Sequence, residues 1–563
     1  MLKAYLIVSL IFLFSAAQPS LAQEASKPNF IFILTDDQSY DLLGCTGNEV
    51  LQTPNIDRLA DEGMLFTNAH ITSAICTPSR ISIFLSQFER KHSVNFNSGT
   101  SVSEEAWEQS YPMVMRRAGY FTGYIGKNHS PVGEDGYKSG VMEKSFDYWY
   151  AGHGHLKFYP KKHHKIFKAA KANTQAEIIE EGMMDFFASN EHRLDGAIHF
   201  LDERPKDKPF MLSICFNLPH GAGTSTMKQL PDDPEIYKSL YRDKKIPLPE
   251  HYIAKADIKT PKLPPEIHRV KDRQSGYKWV DTPESVNERL TRMYQAMTGI
   301  DRLVGNLRNR LKELKIDENT VIVYSSDHGL FEGQHGLGGK ALCYEKVTKV
   351  PMIIHDPRLP KSKHGKVSDA LVQSIDIAPT ILSMAGIDRP LEFQGKDLTG
   401  IVRETSKKVR DYLFTENLWS TQFGNPRCES IQNKEWKYIR YYKNENLPAS
   451  EKIVTAKMLG MKINNMLYRV HDPDIAMYRH FIESPLRGEP AVYEELYHLA
   501  KDPAESINLI DKKEHKKILA ELQTAWKEAI TYARGEGDPK VLRYTVDSMA
   551  EKGYRMSKFK MAK

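Results

Sequence analysis

Cysteine is scarce in this chain, with five residues in 563, at positions 45, 76, 215, 343 and 428. That excludes a small domain held together mainly by disulfides. Beyond the N-terminus no continuous apolar run reaches the length of about 18 residues that a membrane-spanning helix needs, so none is expected there. Charge of one sign is also missing: 78 Lys and Arg face 72 Asp and Glu, for a net +6. So mild an excess over this length reads first as a solubility charge, and nucleic acid is not an expected partner. There is no internal repeat and no low-complexity tract, which argues against solenoids and compositionally biased disorder. What remains is ordinary globular composition, 40% hydrophobic and 27% charged, on a chain long enough for two or more domains.

Residues 1–22 read as a secretory signal. Lys3 supplies a basic start, residues 5–14 are apolar apart from Ser9, and Ser20-Leu21-Ala22 offers the small residues a signal peptidase reads. The mature chain is expected to begin near Gln23, to be secreted or periplasmic, and to carry no transmembrane segment after cleavage. An uncleaved anchor is the alternative.

Four short apolar runs each end in a polar or ionisable cluster. FIFIL (30–34) runs into Thr35-Asp36-Asp37, and residues 121–125 run into Gly126-Lys127-Asn128-His129. Residues 210–216, with Cys215 as a core residue, run into Asn217-Leu218-Pro219-His220, and residues 320–325 run into Ser326-Asp327-His328-Gly329. Continuous apolar runs of this length suit buried parallel strands, and sites in open α/β sheets gather at the carboxyl ends of such strands. Residues 56–63 read as a helix, and apolar positions from Met293 to Leu314 recur at helical spacing. The expected fold is therefore α/β, a large mixed, mostly parallel sheet covered by helices on both faces. Residues 224–290, rich in Pro, Lys and Asp and without period, are expected to be a long insertion with little regular structure. After about residue 400 the pattern changes. Residues 428–432 and 436–442 read as a hairpin and 513–533 as a helix, giving a smaller C-terminal α+β subdomain with an antiparallel sheet. The expected division is 1–22, 23–405 and 406–563.

The strand-end carboxylates Asp36, Asp37 and Asp327, with His328, form a hard-oxygen donor set suited to Ca²⁺ and then Mg²⁺. An Asp-Asp pair alone would also fit a helix cap or a turn. CTPSR, residues 76–80, reads as a helix start, because Pro78 fixes the first turn and Ile81, Phe84 and Leu85 follow at helical spacing. That places Cys76 at a helix N-terminus, where free N–H groups favour an anion. Arg80 is positioned to pair with oxyanions.

CTPSR resembles the C-x-P-x-R signature of type I sulfatases. The likeness extends from PNFIFILTDD through CTPSR, GKNH, LPH, DHG and QSIDIAPTILSMAG to ELYHLAKDPAESINL, nearly the whole mature chain. It implies an alkaline-phosphatase-like sulfatase fold and oxidation of Cys76 to formylglycine (3-oxoalanine) by a maturation enzyme. The hydrate of that aldehyde would attack sulfur and later expel sulfate. It implies a cation held by Asp36, Asp37, Asp327, His328 and the modified Cys76. Lys127 and Lys340 would neutralise sulfate oxygens, His220 with Lys340 would assist the leaving oxygen, and His129 would deprotonate the diol. His335 matches a position near the substrate. The chain departs from the family pattern at His498, where Asp is usual, and in the LPHGAGT context.

A sulfated polysaccharide or oligosaccharide is the expected substrate. Residues 152–171 hold four His, six Lys and three aromatics. They can build anion and sugar-stacking subsites, or form a plain basic loop. An algal polymer such as ulvan or carrageenan leads, with host glycosaminoglycans second. Two rivals are a phosphoester or phosphonate hydrolase of the same fold and a non-catalytic carbohydrate-binding homologue.

Overall fold

The computed structural model describes residues 27–94, 100–184, 196–220, 230–264, 267, 278–418, 426–443 and 482–536. The expected signal segment, residues 221–224 after His220, and the basic C-terminal tail lie outside them. Among the described residues no helix is long and apolar enough to cross a membrane.

Strand β1 (Asn29–Asp36) is fully buried. Its continuous apolar run has a simple cause: Phe30, Phe32 and Leu34 point into one core cluster while Ile31 and Ile33 point into another. A strand with both faces covered cannot show polar alternation. Its neighbour β6 (Phe210–Pro219) behaves alike, sending Phe210, Leu212, Ile214 and Phe216 to one side and Met211 and Cys215 to the other. On the other flank lies β7 (Thr320–Ser326), also parallel to β1. The eight-stranded sheet is completed by β2 (Met64–Phe66), β4 (Phe121–Asn128), β5 (Tyr148–His153), β10 (Met352–His355) and β11 (Lys366–Ser368). Its order is β11-β2-β10-β7-β1-β6-β4-β5. Only β10 runs against its neighbours β2 and β7; the other adjacent strands are parallel. Two short pairs lie outside it, β3 (Ala69–His70) with β12 (Val372–Gln373) and β8 (Phe331–Glu332) with β9 (Gly338–Gly339).

Helix α1 (Pro54–Asp61) and the long helix Pro283–Glu313 cover one face. Helix α2 (Cys76–Leu85) and the helices Tyr111–Arg117 and Ile377–Met384 cover the other. The long helix starts at Pro283, earlier than its apolar stripe suggests, so the irregular insertion ends sooner than residue 290. Thr282 accepts the Ser285 N–H as N-cap and Pro283 takes the first helical position. The described part of the insertion contains only 3-10 turns, such as Glu235–Tyr237 and Lys255–Asp257.

A separate antiparallel sheet follows, in the order β13 (Leu413–Asn417), β14 (Arg427–Gln432), β15 (Trp436–Tyr442), β16 (Tyr493–His498). The helix Lys516–Arg534 buries Leu522, Trp526 and Ile530 against it. The β14–β15 pair is the expected hairpin.

Candidate active site

The carboxyl ends of β1, β4, β6 and β7 carry the polar clusters to one place. The register of β1 against β6 breaks between Leu34 and Asp36, and the His220 amide donates to the Asp36 carbonyl at 3.1 Å. On the other side the Asp327 amide donates to the Thr35 carbonyl at 3.1 Å, and the Asp37 amide to Asp327 Oδ1 at 3.2 Å. Asp37 itself has φ 64°. This left-handed backbone turns its carboxylate away from the strand axis, and Asp tolerates it better than most residues.

Cys76 opens α2 after Ile75 in extended conformation, and every residue of the helix is buried. The thiol lies 2.9 Å from Lys340 Nζ and 3.3 Å from His328 Nε2. Ser79 donates to the Asp327 carbonyl at 2.6 Å, which fixes the helix start against the end of β7. Arg80 also serves the protein itself. Its Nε donates to Asp327 Oδ2 at 2.8 Å and its Nη2 to the Phe216 carbonyl at 3.1 Å, so it holds a carboxylate in place, while its buried Nη1 meets no partner among the described residues. The physical reason is depth: a fully buried guanidinium needs a fixed counter-charge.

Lys127 donates to Asp36 Oδ2 at 2.5 Å, and Lys340 to Asp37 Oδ1 at 2.9 Å. Gly126 explains the Gly-Lys order. It has φ 101°, and a Cβ there would sit 2.2 Å from the Cys215 carbonyl oxygen of the adjacent strand. His129 is wholly buried, and neither ring nitrogen has a hydrogen-bond partner among the described residues. Burial first, then the Lys127 and His155 charges, push its pKa well below the ordinary histidine value, so it is a neutral base. His220 keeps 26% of its side chain exposed, with Nδ1 3.8 Å from Asp37 Oδ2. Burial lowers it to about 4, against the pull of Asp37.

Sequence reading placed one participant only within the basic segment 152–171 and gave it no role of its own. His155 stands between His129 and His220, with ring centroids at 4.8 and 4.6 Å, and its Nδ1 is 3.2 Å from Asn217 Oδ1. Its signal was its place just beyond β5, a further parallel strand ending on the same side of the sheet. The rest of residues 152–171 corrects the sugar-stacking expectation: Phe158, Tyr159 and Phe167 are buried in the core. His335 lies apart from these contacts. It stacks on His251 at 5.3 Å, and Nε2 meets the Ala504 carbonyl at 2.8 Å.

Asp36, Cys76, Asp327 and His328 bring ligand atoms within 4.8 Å of one another, all buried. Asp36 Oδ1 has no hydrogen-bond partner among the described residues, as expected of an oxygen reserved for a cation. Asp37 stands beside this set: its Oδ1 takes Lys340 and lies 3.2 Å from His328 Nδ1. Burial raises the Asp36 carboxyl, and Lys127, His220 and Arg80 outweigh it, leaving it well below the usual range; Asp37 falls to about 2. His328 rises to about 9, because Asp327 overcomes burial. Three carboxylates thus meet three fixed cations, Arg80, Lys127 and Lys340, and His328, which must give up its proton before it can ligate a metal. A near-neutral buried cluster of this kind can take a divalent cation and an anionic ester together, each offsetting the other's charge.

A family model described as sulfatase matches residues 28–387, and one described as N-sulphoglucosamine sulphohydrolase, C-terminal, matches 333–451. An N-acetylglucosamine-6-O-sulfatase of Bacteroides thetaiotaomicron is 28% identical over 76% of this chain and 81% of its own. An ulvan-active sulfatase of Formosa agariphila is 26% identical over 74% of this chain and 73% of its own. A solved structure of a protein in complex with its substrate D-glucosamine-2-N,6-O-disulfate superposes with TM-score 0.64 at 21% identity, covering 92% of this chain and 100% of that one.

Proposed function

The chain belongs to the sulfatase family and hydrolyses sulfate esters, and we propose that it is an exported enzyme acting on a sulfated glycan through a residue made from Cys76. The observation that carries this is the buried Cys76 thiol at the start of α2, within 2.9 Å of Lys340 and 3.3 Å of His328, over a cluster of three carboxylates. The relatives named above for N-acetylglucosamine 6-O-sulfate and ulvan support a carbohydrate sulfate as substrate class. An algal polymer is kept as the lead, with glycosaminoglycan fragments second.

In this reading Asp36, Asp37, Asp327 and His328 hold a Ca²⁺ ion, and residues 23–405 form the catalytic domain with 406–563 as the smaller subdomain. The ion would supply Lewis-acid polarisation of a sulfate oxygen, and Cys76 oxidised to formylglycine by a maturation enzyme would supply a hydrated aldehyde as nucleophile. The remaining work falls to this chain's side chains. Lys127, paired with Asp36, and Lys340, paired with Asp37, grip sulfate oxygens. Arg80 acts indirectly, by fixing Asp327. His220, 26% exposed in its side chain, is assigned to the leaving group and, with Lys340, assists its departure. His129, neutral and without a partner among the described residues, accepts the proton that must leave before sulfate is released.

The test is the mass of the tryptic peptide containing Cys76. An aldehyde there lies about 18 Da below the thiol, from replacement of a thiol by an oxo group. Initial rates on an aryl sulfate and an aryl phosphate then separate a sulfatase from a phosphoester hydrolase. Release of sulfate from 6-sulfated N-acetylglucosamine and from ulvan fragments is the substrate test. Absence of turnover on every sulfate, phosphate and phosphonate ester, with the aldehyde present, would leave only the non-catalytic carbohydrate-binding reading.

A further inference from the structure

Cys343 and Cys428 are both wholly buried, and their sulfurs lie 3.6 Å apart. They are 85 positions apart in sequence, Cys343 in a loop and Cys428 in a strand of the antiparallel sheet. Cys343 follows Lys340 by three residues in the segment leading to the helix Glu345–Thr348, whereas Cys428 is the second residue of β14. Both lie in the apolar cluster that joins the two parts of the molecule, with Ile71, Leu342 and Val347 on one side and Ile439, Tyr441 and Tyr497 on the other. Apart from each other, the two thiols meet only weak acceptors among the described residues, Cys343 the Thr415 carbonyl and Cys428 the Ala341 carbonyl, each at 3.8 Å. Such weak donation gives two adjoining thiols little reason to stay reduced. Among the described cysteines no other pair of sulfurs is in contact, and Cys45 and Cys215 lie in a different core.

We propose that Cys343 and Cys428 form a disulfide that ties the segment carrying Lys340 to the C-terminal antiparallel sheet. The proposal rests on the export reading above, because an oxidising compartment is where such a bond persists. The chemistry is thiol–disulfide exchange. One thiolate attacks a disulfide donor, an oxidoreductase disulfide in the cell or oxidised glutathione in vitro, and releases one donor thiol. The second cysteine then displaces the other. Two S–H bonds are lost, one S–S bond forms, and the donor disulfide takes the two electrons and two protons. Closure from 3.6 Å to about 2.05 Å is a small side-chain movement. Since both sulfurs are sealed from solvent, the bond forms during folding. Its consequence is local: the cross-link anchors the turn at Ala341, a non-glycine residue with φ 69°, directly after the lysine that reaches Cys76.

The experiment uses the full chain, prepared by secretion from a bacterial host and, separately, by refolding with a glutathione redox pair. Each preparation is denatured without reductant, alkylated and mapped by mass spectrometry. The expected result is one cross-linked peptide pair, Cys343 with Cys428, and alkylation of Cys45 and Cys215. Full alkylation of Cys343 and Cys428 in both preparations, or linkage of either to another cysteine, would overturn the proposal. Reductant should lower the Tm of the wild type by several degrees and leave the C343S/C428S double variant unmoved. An equal response in the two proteins would count against it. Cell fractionation tests the export reading separately, so a chain retained in the cytoplasm would sink that reading while the refolding result still decides the bond.

Discussion

His129, His155 and His220 share one chemistry and differ in surroundings. His129 has no exposure and no partner among the described residues, His155 is tied to Asn217, and His220 faces solvent. That difference leads to separable kinetic effects. His220→Ala is expected to cost about 10²–10⁴-fold on a sulfated sugar, the usual range for a lost general acid, and clearly less on a nitrophenyl sulfate, whose leaving group hardly needs a proton. His129→Ala is expected to accumulate a sulfated enzyme on both substrates, visible as an intact-mass adduct. Equal losses on both substrates for His220→Ala, without an adduct in His129→Ala, would reverse the two assignments. Asp327 serves the metal set and Arg80 at once. Asp327→Ala should therefore lose bound Ca²⁺ and activity together, since it also strands a buried guanidinium. Elemental analysis showing stoichiometric Ca²⁺ in the purified variant would remove Asp327 from the ligand set.

At the scale of elements, α2 is held from both ends. Ser79 fixes its start to β7, while near its end Ser82 contacts His92 of α3 (Glu89–His92) at 3.0 Å. The Val94 amide donates to His92 Nδ1 at 3.1 Å, so the ring is neutral and its proton sits on Nε2 facing Ser82. Burial lowers the His92 pKa to about 3 from 6.5. A depressed folded-state pKa gives stability that is complete above 6.5 and is lost as pH falls toward 3, because the unfolded chain takes up the proton first. Gln can accept from Val94 and donate to Ser82 without titrating. His92→Gln should flatten the decline of stability between pH 6.5 and pH 5 by up to about 1.4 kcal/mol per pH unit. Urea midpoints across that range are the measurement, and an unchanged slope would mean that His92 does not drive the acid response.

At the scale of the whole molecule, a second buried charge cluster joins α3 to the antiparallel sheet. Arg90 of α3 pairs with Glu416 of β13 at 3.0 Å and with Glu429 of β14, while Tyr442 and Trp526 each donate to Glu429 at 2.8 Å. Arg90→Met would leave two carboxylates buried against each other without their cation. The expected loss is about 3–5 kcal/mol of stability, the usual cost of breaking one side of a buried ion pair. Chemical denaturation measures it, and a loss under about 1 kcal/mol, the level of an exposed pair, would mean that the cluster is solvated in solution.

How much of this could be read from the sequence depended on whether a feature is local. Four strand-end clusters, the helix start at Cys76 and the β14–β15 hairpin were all legible, because each rests on a short run of residues whose burial or turn chemistry is self-contained. The alternation of Phe30 and Phe32 against Ile31 and Ile33 could not be assigned to two cores from a plain apolar run. The start of the helix at Pro283 was hidden because its first turn has no apolar stripe. His155 was absent from every motif, and it joins the site only because β5 lies beside β4 in the sheet. Arg80 reads as an anion binder along the chain and becomes a support for Asp327 once the fold seals it away from water. The sequence by itself determined which groups stand at the ends of the strands. Only the tertiary structure decided which of them face one another, since strand order and desolvation are set by residues far apart in the chain.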